Sequence, residues 1–289
     1  MASAARTAVS VDNVMGDSSV LVAMRIRVFL PNDPTKETCL SDGDTPNTVC
    51  ISDDKGKSNS FKIDAVLNDK VSQSTVYNMT AKRILVKVLK GYNGTVFAYG
   101  QTGSGKTFTM LGPDGATRAG ASAELLGIIP RAVKDLFQHI DNNPTNVYTV
   151  QASYIEIYRE EIIDLLSVKK SSNGKGNRSI NIRQQPNGDV ILDGAKMESI
   201  DSLKAVMRLI ERGNRKRQVG GHALNANSSR SHAVFTIYIE QATMKNGKGI
   251  KLMSKFNLID LAGSERAKRT GATGDRLKEG SSINQSLSA

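Results

Sequence analysis

The sequence is poor in the residues that staple small folds together. Its 289 residues include two cysteines, Cys39 and Cys50, with neither a C-x-x-C spacing nor the density of a secreted disulfide scaffold. We therefore expect a reduced, cytoplasmic chain. The three histidines, His139, His222 and His232, are too scattered in sequence to suggest a histidine-built metal cluster. No run approaches the roughly 20 consecutive apolar residues a membrane helix requires. Residues 1–19 lack the compact apolar block of a secretory signal; we expect them to form a mobile arm. There is no internal repeat and no strong linker, which favours one domain.

Positive charge is what the chain has in excess. A net charge of +11 and a pI near 9.6 favour an acidic partner, whether nucleic acid, an anionic membrane or an acidic protein surface, and charge alone leaves these open. The basic residues cluster in "ERGNRKRQ" and "ERAKRTGATGDRLKEG". Hydrophobic residues make up 39%, enough for the core of one large domain.

Strand-like and helix-like stretches alternate, an α/β pattern. Strands are expected at 19–28, in "GTVFAYG", in "VYTVQASYIEIY", in "HAVFTIYIEQAT" and in "IKLMSKFNLIDLAG". "STVYNMTAKRILVKVLKG" reads as one helix ended by Gly91, and "EEIIDLL" as a short amphipathic piece. "INIRQQPNGDVIL" is a hairpin candidate, because Pro186-Asn187-Gly188-Asp189 supplies turn chemistry. A helix should begin after an N-cap at Ser202 and stop at Gly213. Residues 167–179, polar and basic, read as an exposed loop.

The chemistry begins in "GQTGSGKT", Gly100 to Thr107, which fits G-x-x-x-x-G-K-[ST] between a strand and a helix. Gly100, Gly103 and Gly105, with Gln101, Thr102 and Ser104 between them, let backbone N–H groups turn toward phosphate oxygens. Lys106 is expected at the β and γ phosphates and the Thr107 hydroxyl on Mg²⁺. "FNLIDLAG" ends a strand on Asp260 with Gly263 three residues on. That arrangement puts a carboxylate near Mg²⁺ and a backbone N–H near the γ-phosphate. Without the glycine loop an aspartate at a strand end reads as a turn former.

"NANSSRSH" (225–232) and "DLAGSER" (260–266), taken with the glycine loop, make the sequence resemble the kinesin motor domain. "VAMRIR", "GYNGTVFAYGQTGSGKTFTM", "SYIEIYREEIIDLL" and "GDRLKEGSSINQSLSA" follow the same family in the same order, so the resemblance spans residues 20–289. It implies an α/β P-loop NTPase fold: a central, mostly parallel mixed sheet with helices on both faces, truncated at Ala289 within the family's relay helix. It implies Mg-ATP hydrolysis, with ATP and ADP as ligands, coupled through two switch loops to microtubule binding and force. Residues 225–232 would be the first switch, with Ser229 offering a second hydroxyl to Mg²⁺ and Ser228 meeting the attacking water. Residues 260–265 would open the second switch, Arg230 would pair with Glu265 to close the two switches over the γ-phosphate, and Asp260 would reach Mg²⁺ through water. Arg25, Arg27 and Phe108 would form a stacking slot for adenine, with Val28 standing where the family has proline.

ATP is preferred to GTP because no N-K-x-D motif lies suitably downstream. The implied partner is the microtubule, met by the segment after Glu265 and by Lys169, Lys170, Lys175 and Arg178. No direct contact with nucleic acid or membrane is expected, and the full-length protein would oligomerise through a coiled-coil stalk. The implied location is the cytoplasm, on the cytoskeleton. Two other readings stand beside the motor: a microtubule-binding fragment without motility, and a P-loop enzyme acting on nucleic acid.

Overall fold

In the computed structural model the described residues are 20–33, 35, 37–53, 55–113, 122–167, 180–186, 188–220, 229–245 and 248–265. The expected arm (1–19), the basic loop residues Lys169, Lys170, Lys175 and Arg178, Ser228, and the expected relay segment lie outside them. In chain order the elements are β1 (Ala23–Arg25), β2 (Leu40–Asp42), β3 (Thr48–Ser52), β4 (Ser58–Lys62) and β5 (Ala65–Leu67). There follow α1 (Gln73–Met79), α2 (Ala81–Val88), β6 (Gly94–Ala98), α3 (Lys106–Met110), a 3-10 turn (Ala123–Leu125) and α4 (Ile128–Asp141). Then come β7 (Val147–Tyr158), β8 (Glu161–Asp164), β9 (Asn181–Gln184), β10 (Val190–Asp193), β11 (Glu198–Ser199), α5 (Leu203–Gly220), β12 (His232–Lys245) and β13 (Lys248–Asp260).

The central sheet runs β11-β7-β12-β13-β6, with β8 added to β7. It is mixed and flanked by helices, as expected, but it is not mostly parallel: β13 with β6 is its one parallel pair among the described residues. The reason is local. Lys245 pairs with Lys248, so only Asn246 and Gly247 separate β12 from β13, a composition and length that favour a tight antiparallel hairpin. Arg159 and Glu160, with φ of 51° and 63°, do the same between β7 and β8. "EEIIDLL" therefore opens as a strand, β8. Smaller pairings lie outside the sheet: β1 with β5 in parallel, and β2-β3-β4 and β9-β10 antiparallel. The strand expected at 19–28 narrows to β1, whose partner β5 is also three residues long.

One face of the sheet carries Tyr154, Phe235, Ile237, Phe256 and Leu258, all buried, and this face makes the core. Helix α2 rests on it where Gly94 leaves room: a Cβ there would lie 2.7 Å from Val88 Cγ2. The helix expected in one piece from Ser74 is two, because Thr80 turns its hydroxyl back to the Val76 carbonyl (2.6 Å) and leaves helical geometry before α2 begins. Among the described residues no helix is long and apolar enough to cross a membrane.

Helix α5 starts at its expected cap, with the Ala205 N–H donating to Ser202 Oγ (3.2 Å), but it does not stop at Gly213. The glycine serves packing instead. The Tyr154 ring lies against the helix backbone there, edge-on to Phe235, and its hydroxyl donates to Asn214 Oδ1 at 2.7 Å. Burial pushes the Tyr154 phenol up to about 12. Helix propensity alone favours Gly213→Ala by roughly 1 kcal/mol. A Cβ, however, would stand 2.6 Å from Tyr154 Cε1, and overpacking costs typically about 1–3 kcal/mol. Packing should win: Gly213→Ala is expected to lower the urea midpoint, and a raised midpoint would show that the ring yields freely.

Candidate active site

Strand β6 ends at Ala98, directly opposite Asp260 at the end of β13, because the two strands are parallel and in register. The chain beyond β6 then turns through Gly100, Gly103 and Gly105, at φ of 155°, 80° and 94°, before α3 begins at Lys106. Gly105 precedes that helix in the left-handed region, a conformation that costs a side-chain-bearing residue about 1–2 kcal/mol.

The ammonium of Lys106 donates to the carbonyls of Gly100 (2.8 Å) and Gln101 (3.0 Å). Burial lowers its pKa, against the pull of the Asp260 and Glu265 carboxylates. Thr107 Oγ1 donates to Asp260 Oδ2 at 2.6 Å. The second oxygen, Asp260 Oδ1, is buried with no hydrogen-bond partner, and burial raises the acid's pKa. A hydroxyl and a carboxylate with a spare buried oxygen fit a hard divalent cation, which takes oxygen ligands and leaves positions for water and phosphate. The residues present thus suit Mg²⁺.

The segment after Asp260 folds back over the loop. The N–H of Leu261 donates to Ala98 O (3.3 Å), and that of Ser264 to Gly100 O (3.2 Å). The N–H of Gly263 donates to the Ser229 carbonyl at 2.7 Å, so the two expected switches meet through this backbone bond. Glu265 accepts from the Thr102 N–H (2.9 Å) and hydroxyl (2.6 Å). Burial alone would raise this acid, but the Thr102 bonds and nearby Lys106 bring it below its ordinary value. The Glu265 carboxylate, expected against Arg230, is thus held by the phosphate loop. A Cβ on Gly263 would lie 2.5 Å from Thr102 Oγ1, so only glycine fits the turn as built.

On the far side of α3, the Arg25 guanidinium lies over the Phe108 ring, 5.3 Å from its centroid. Arg27 passes beside Gly105, its Cδ 3.7 Å from where a Cβ would stand, and binds Asp33 through Nη2 at 2.9 Å to each oxygen. Its Nη1 is buried without a partner. Val28 is exposed. Arg25, Phe108 and Arg27 thus gather around α3, while Gly100 to Thr107, Ser229, Asp260, Gly263 and Glu265 gather at the strand ends. Ser228 lies outside the described residues.

Three supports escape the sequence reading. Arg217 of α5, 7% exposed, donates Nε to Glu156 Oε1 of β7 (3.2 Å) and Nη2 to the Ser231 carbonyl (2.7 Å), while Ser231 Oγ donates to the same carboxylate at 2.5 Å. His232 Nδ1 accepts from the Ala262 N–H (3.1 Å), so the neutral ring carries its proton on Nε2, and burial lowers its pKa. Gln73 bonds Arg25 and two carbonyls. A charged residue inside an apolar strand, as Glu156 is in "SYIEIY", was a legible hint of a buried pair; Gln73 gave none.

A strand, a glycine loop and a helix beside a second strand that ends in a carboxylate define a P-loop nucleotide-binding fold. The family model for the kinesin motor domain matches residues 30–289, and the chain belongs to that family. It is 38% identical over 283 residues to mouse kinesin-like protein KIF27 and 42% identical over 270 residues to mouse chromosome-associated kinesin KIF4. These alignments cover 95% and 93% of the chain but 20% and 21% of the relatives, so the chain spans about a fifth of their length. Among solved structures it resembles a fast kinesin (33% identity, TM-score 0.77, 92% of this chain and 72% of that one). It also resembles the KIF14 fragment 391–755 with ADP on a microtubule (34%, TM-score 0.78, 94% and 76%).

Removing one member of a buried ion pair strands the other charge, at a cost of about 3–5 kcal/mol. Arg217→Met is therefore expected to destabilise the fold by that amount in urea unfolding, and adding Glu156→Leu should restore most of it. If the single variant loses less than about 1 kcal/mol, the clasp on Ser231 is not structural.

Proposed function

We propose that this chain is the ATP-hydrolysing, microtubule-binding motor domain of a kinesin, with residues 20–289 acting as one unit. The observation that carries the reading is the mutual bonding of three separated segments at one edge of the sheet: the phosphate loop, Ser229 before β12, and the turn after Asp260. Family membership and a likeness to a kinesin solved on a microtubule support the partner.

Binding is an exchange of bonds. Lys106 leaves the Gly100 and Gln101 carbonyls for the β and γ phosphates, and the loop N–H groups and α3 dipole face the phosphate oxygens. Thr107, Ser229 and Asp260 would hold Mg²⁺, which when bound would supply positive charge to neutralise the triphosphate. Gly263 offers its N–H to the γ-phosphate, drawing it from Ser229, while Glu265 releases Thr102 and becomes free to pair with Arg230. Ser228 orients the attacking water. Phosphoryl transfer needs little covalent help, so these positioned charges and donors carry the catalysis. Loss of the γ-phosphate removes the contacts that hold the two switches together, and the second switch transmits this to the track. The nucleotide is ATP, its base taken by Arg25, Arg27 and Phe108. The location that follows is the cytoskeleton, and the contact with acidic tubulin should weaken with salt.

The test is steady-state phosphate release by the purified chain, alone, with polymerised tubulin, and with DNA. Stimulation by tubulin but not by DNA is expected, and Lys106→Ala should reduce turnover by about a hundredfold or more. Stimulation by DNA instead, or turnover that survives Lys106→Ala, would overturn the assignment.

A further inference from the structure

The wall that faces the base depends on a side chain that neither the phosphate-loop motif nor the two switches include. Gln73 is the first residue of α1 and is 4% exposed. Its Oε1 accepts from Arg25 Nη1 at 2.7 Å, and its Nε2 donates to the carbonyls of Phe108 (2.7 Å) and Leu125 (3.2 Å). The same Arg25 nitrogen also donates to Thr109 Oγ1 at 2.8 Å, so the guanidinium is tied to α3 directly and again through Gln73.

We propose that Gln73 is a positioning residue for base recognition: it clamps Arg25 over Phe108 and so sets the slot in which adenine stacks. This rests on the ATP reading above. The chemistry at position 73 is narrow. A guanidinium only donates and two carbonyls only accept, so the side chain between them must do both from one short planar group. Glutamate would satisfy Arg25 but aim lone pairs at the Phe108 and Leu125 carbonyls. Methionine would satisfy neither, and would leave buried polar groups unpaired.

Gln73 touches α3 at the carbonyl of Phe108, two residues beyond Lys106 where the phosphate loop enters the helix, and its other side-chain partner is Arg25. Its influence should therefore fall on the base and not on the phosphates. Without the clamp, Arg25 regains rotamers that must be fixed again each time a base stacks, and that cost appears in affinity.

The experiment compares equilibrium binding of ATP and of inorganic tripolyphosphate, each with Mg²⁺, to the 289-residue chain and to its Gln73→Met and Gln73→Glu variants. ATP affinity is expected to fall about tenfold in both variants while tripolyphosphate affinity changes less than about twofold; KM for ATP should rise with kcat held. A parallel loss of both ligands would make Gln73 a merely structural residue and overturn the proposal, as would no loss of either. Thr109→Val, which removes the other acceptor of Arg25, should give a smaller loss of the same kind, and it decides the matter should neither Gln73 variant fold. An Arg25→Ala variant separates the two levels. If it loses the preference for ATP while the Gln73 variants keep it, the slot stands and the role of Gln73 falls. If the wild-type chain binds ATP no more tightly than tripolyphosphate, the slot itself falls.

Discussion

Five residue pairs between β6 and β13 fix where everything else must be. Because these strands run parallel, their C-terminal ends meet at one edge of the sheet, and Ala98 faces Asp260. Parallel neighbours that end together leave a crevice beyond their carboxyl ends, the natural place for a ligand in an open α/β sheet. The antiparallel partners finish the arrangement. Ala233, near the start of β12, lies opposite Asp260 on one side and Glu156 of β7 on the other. The segment entering β12 therefore arrives at the same edge as the segment leaving β13, and two stretches far apart in sequence become neighbours.

Polar bonds then decide how firmly each piece is held. The segment entering β12 is anchored below by the buried Arg217–Glu156 pair through Ser231 and beside by His232 to the Ala262 N–H. Above those anchors, one backbone bond joins Gly263 to Ser229, and Glu265 and Lys106 make two hydrogen bonds each, every bond net worth about 1 kcal/mol and somewhat more where a charge takes part. On the motor reading proposed above, firm roots under easily exchanged tips would let two loops change partners without unravelling the sheet.

Much of this was readable in advance where chemistry is local. The glycine loop lies between a strand and a helix, and the β9–β10 hairpin, the Ser202 cap and the whole of β7 occur where turn residues and β-branched content put them. The misreadings were tertiary in origin. Gly213 has the composition of a helix stop, but the space its missing side chain leaves is used by Tyr154, a residue of β7. Thr80 interrupts a helix by a bond its own periodicity does not reveal. The mostly parallel sheet implied by the resemblance gave way to antiparallel pairing of β7 with β8 through the turn at 159–160 and of β12 with β13, where Lys245 pairs with Lys248. Of the site's supports, only Glu156 stood out in sequence; the roles of Gln73 and His232 depend on which elements lie across from them.

The β12–β13 pair has His232 and Asp260 at one extremity and Lys245 and Lys248 at the other, and β6 and β7 pair with only part of its length. Thirteen residues of strand span about 40 Å. A dye, a peptide tag or a few extra residues spliced between Lys245 and Lys248 would therefore sit far from the catalytic edge yet on the same two strands. That makes the tip a natural mount for an optical reporter of the nucleotide cycle proposed for this chain.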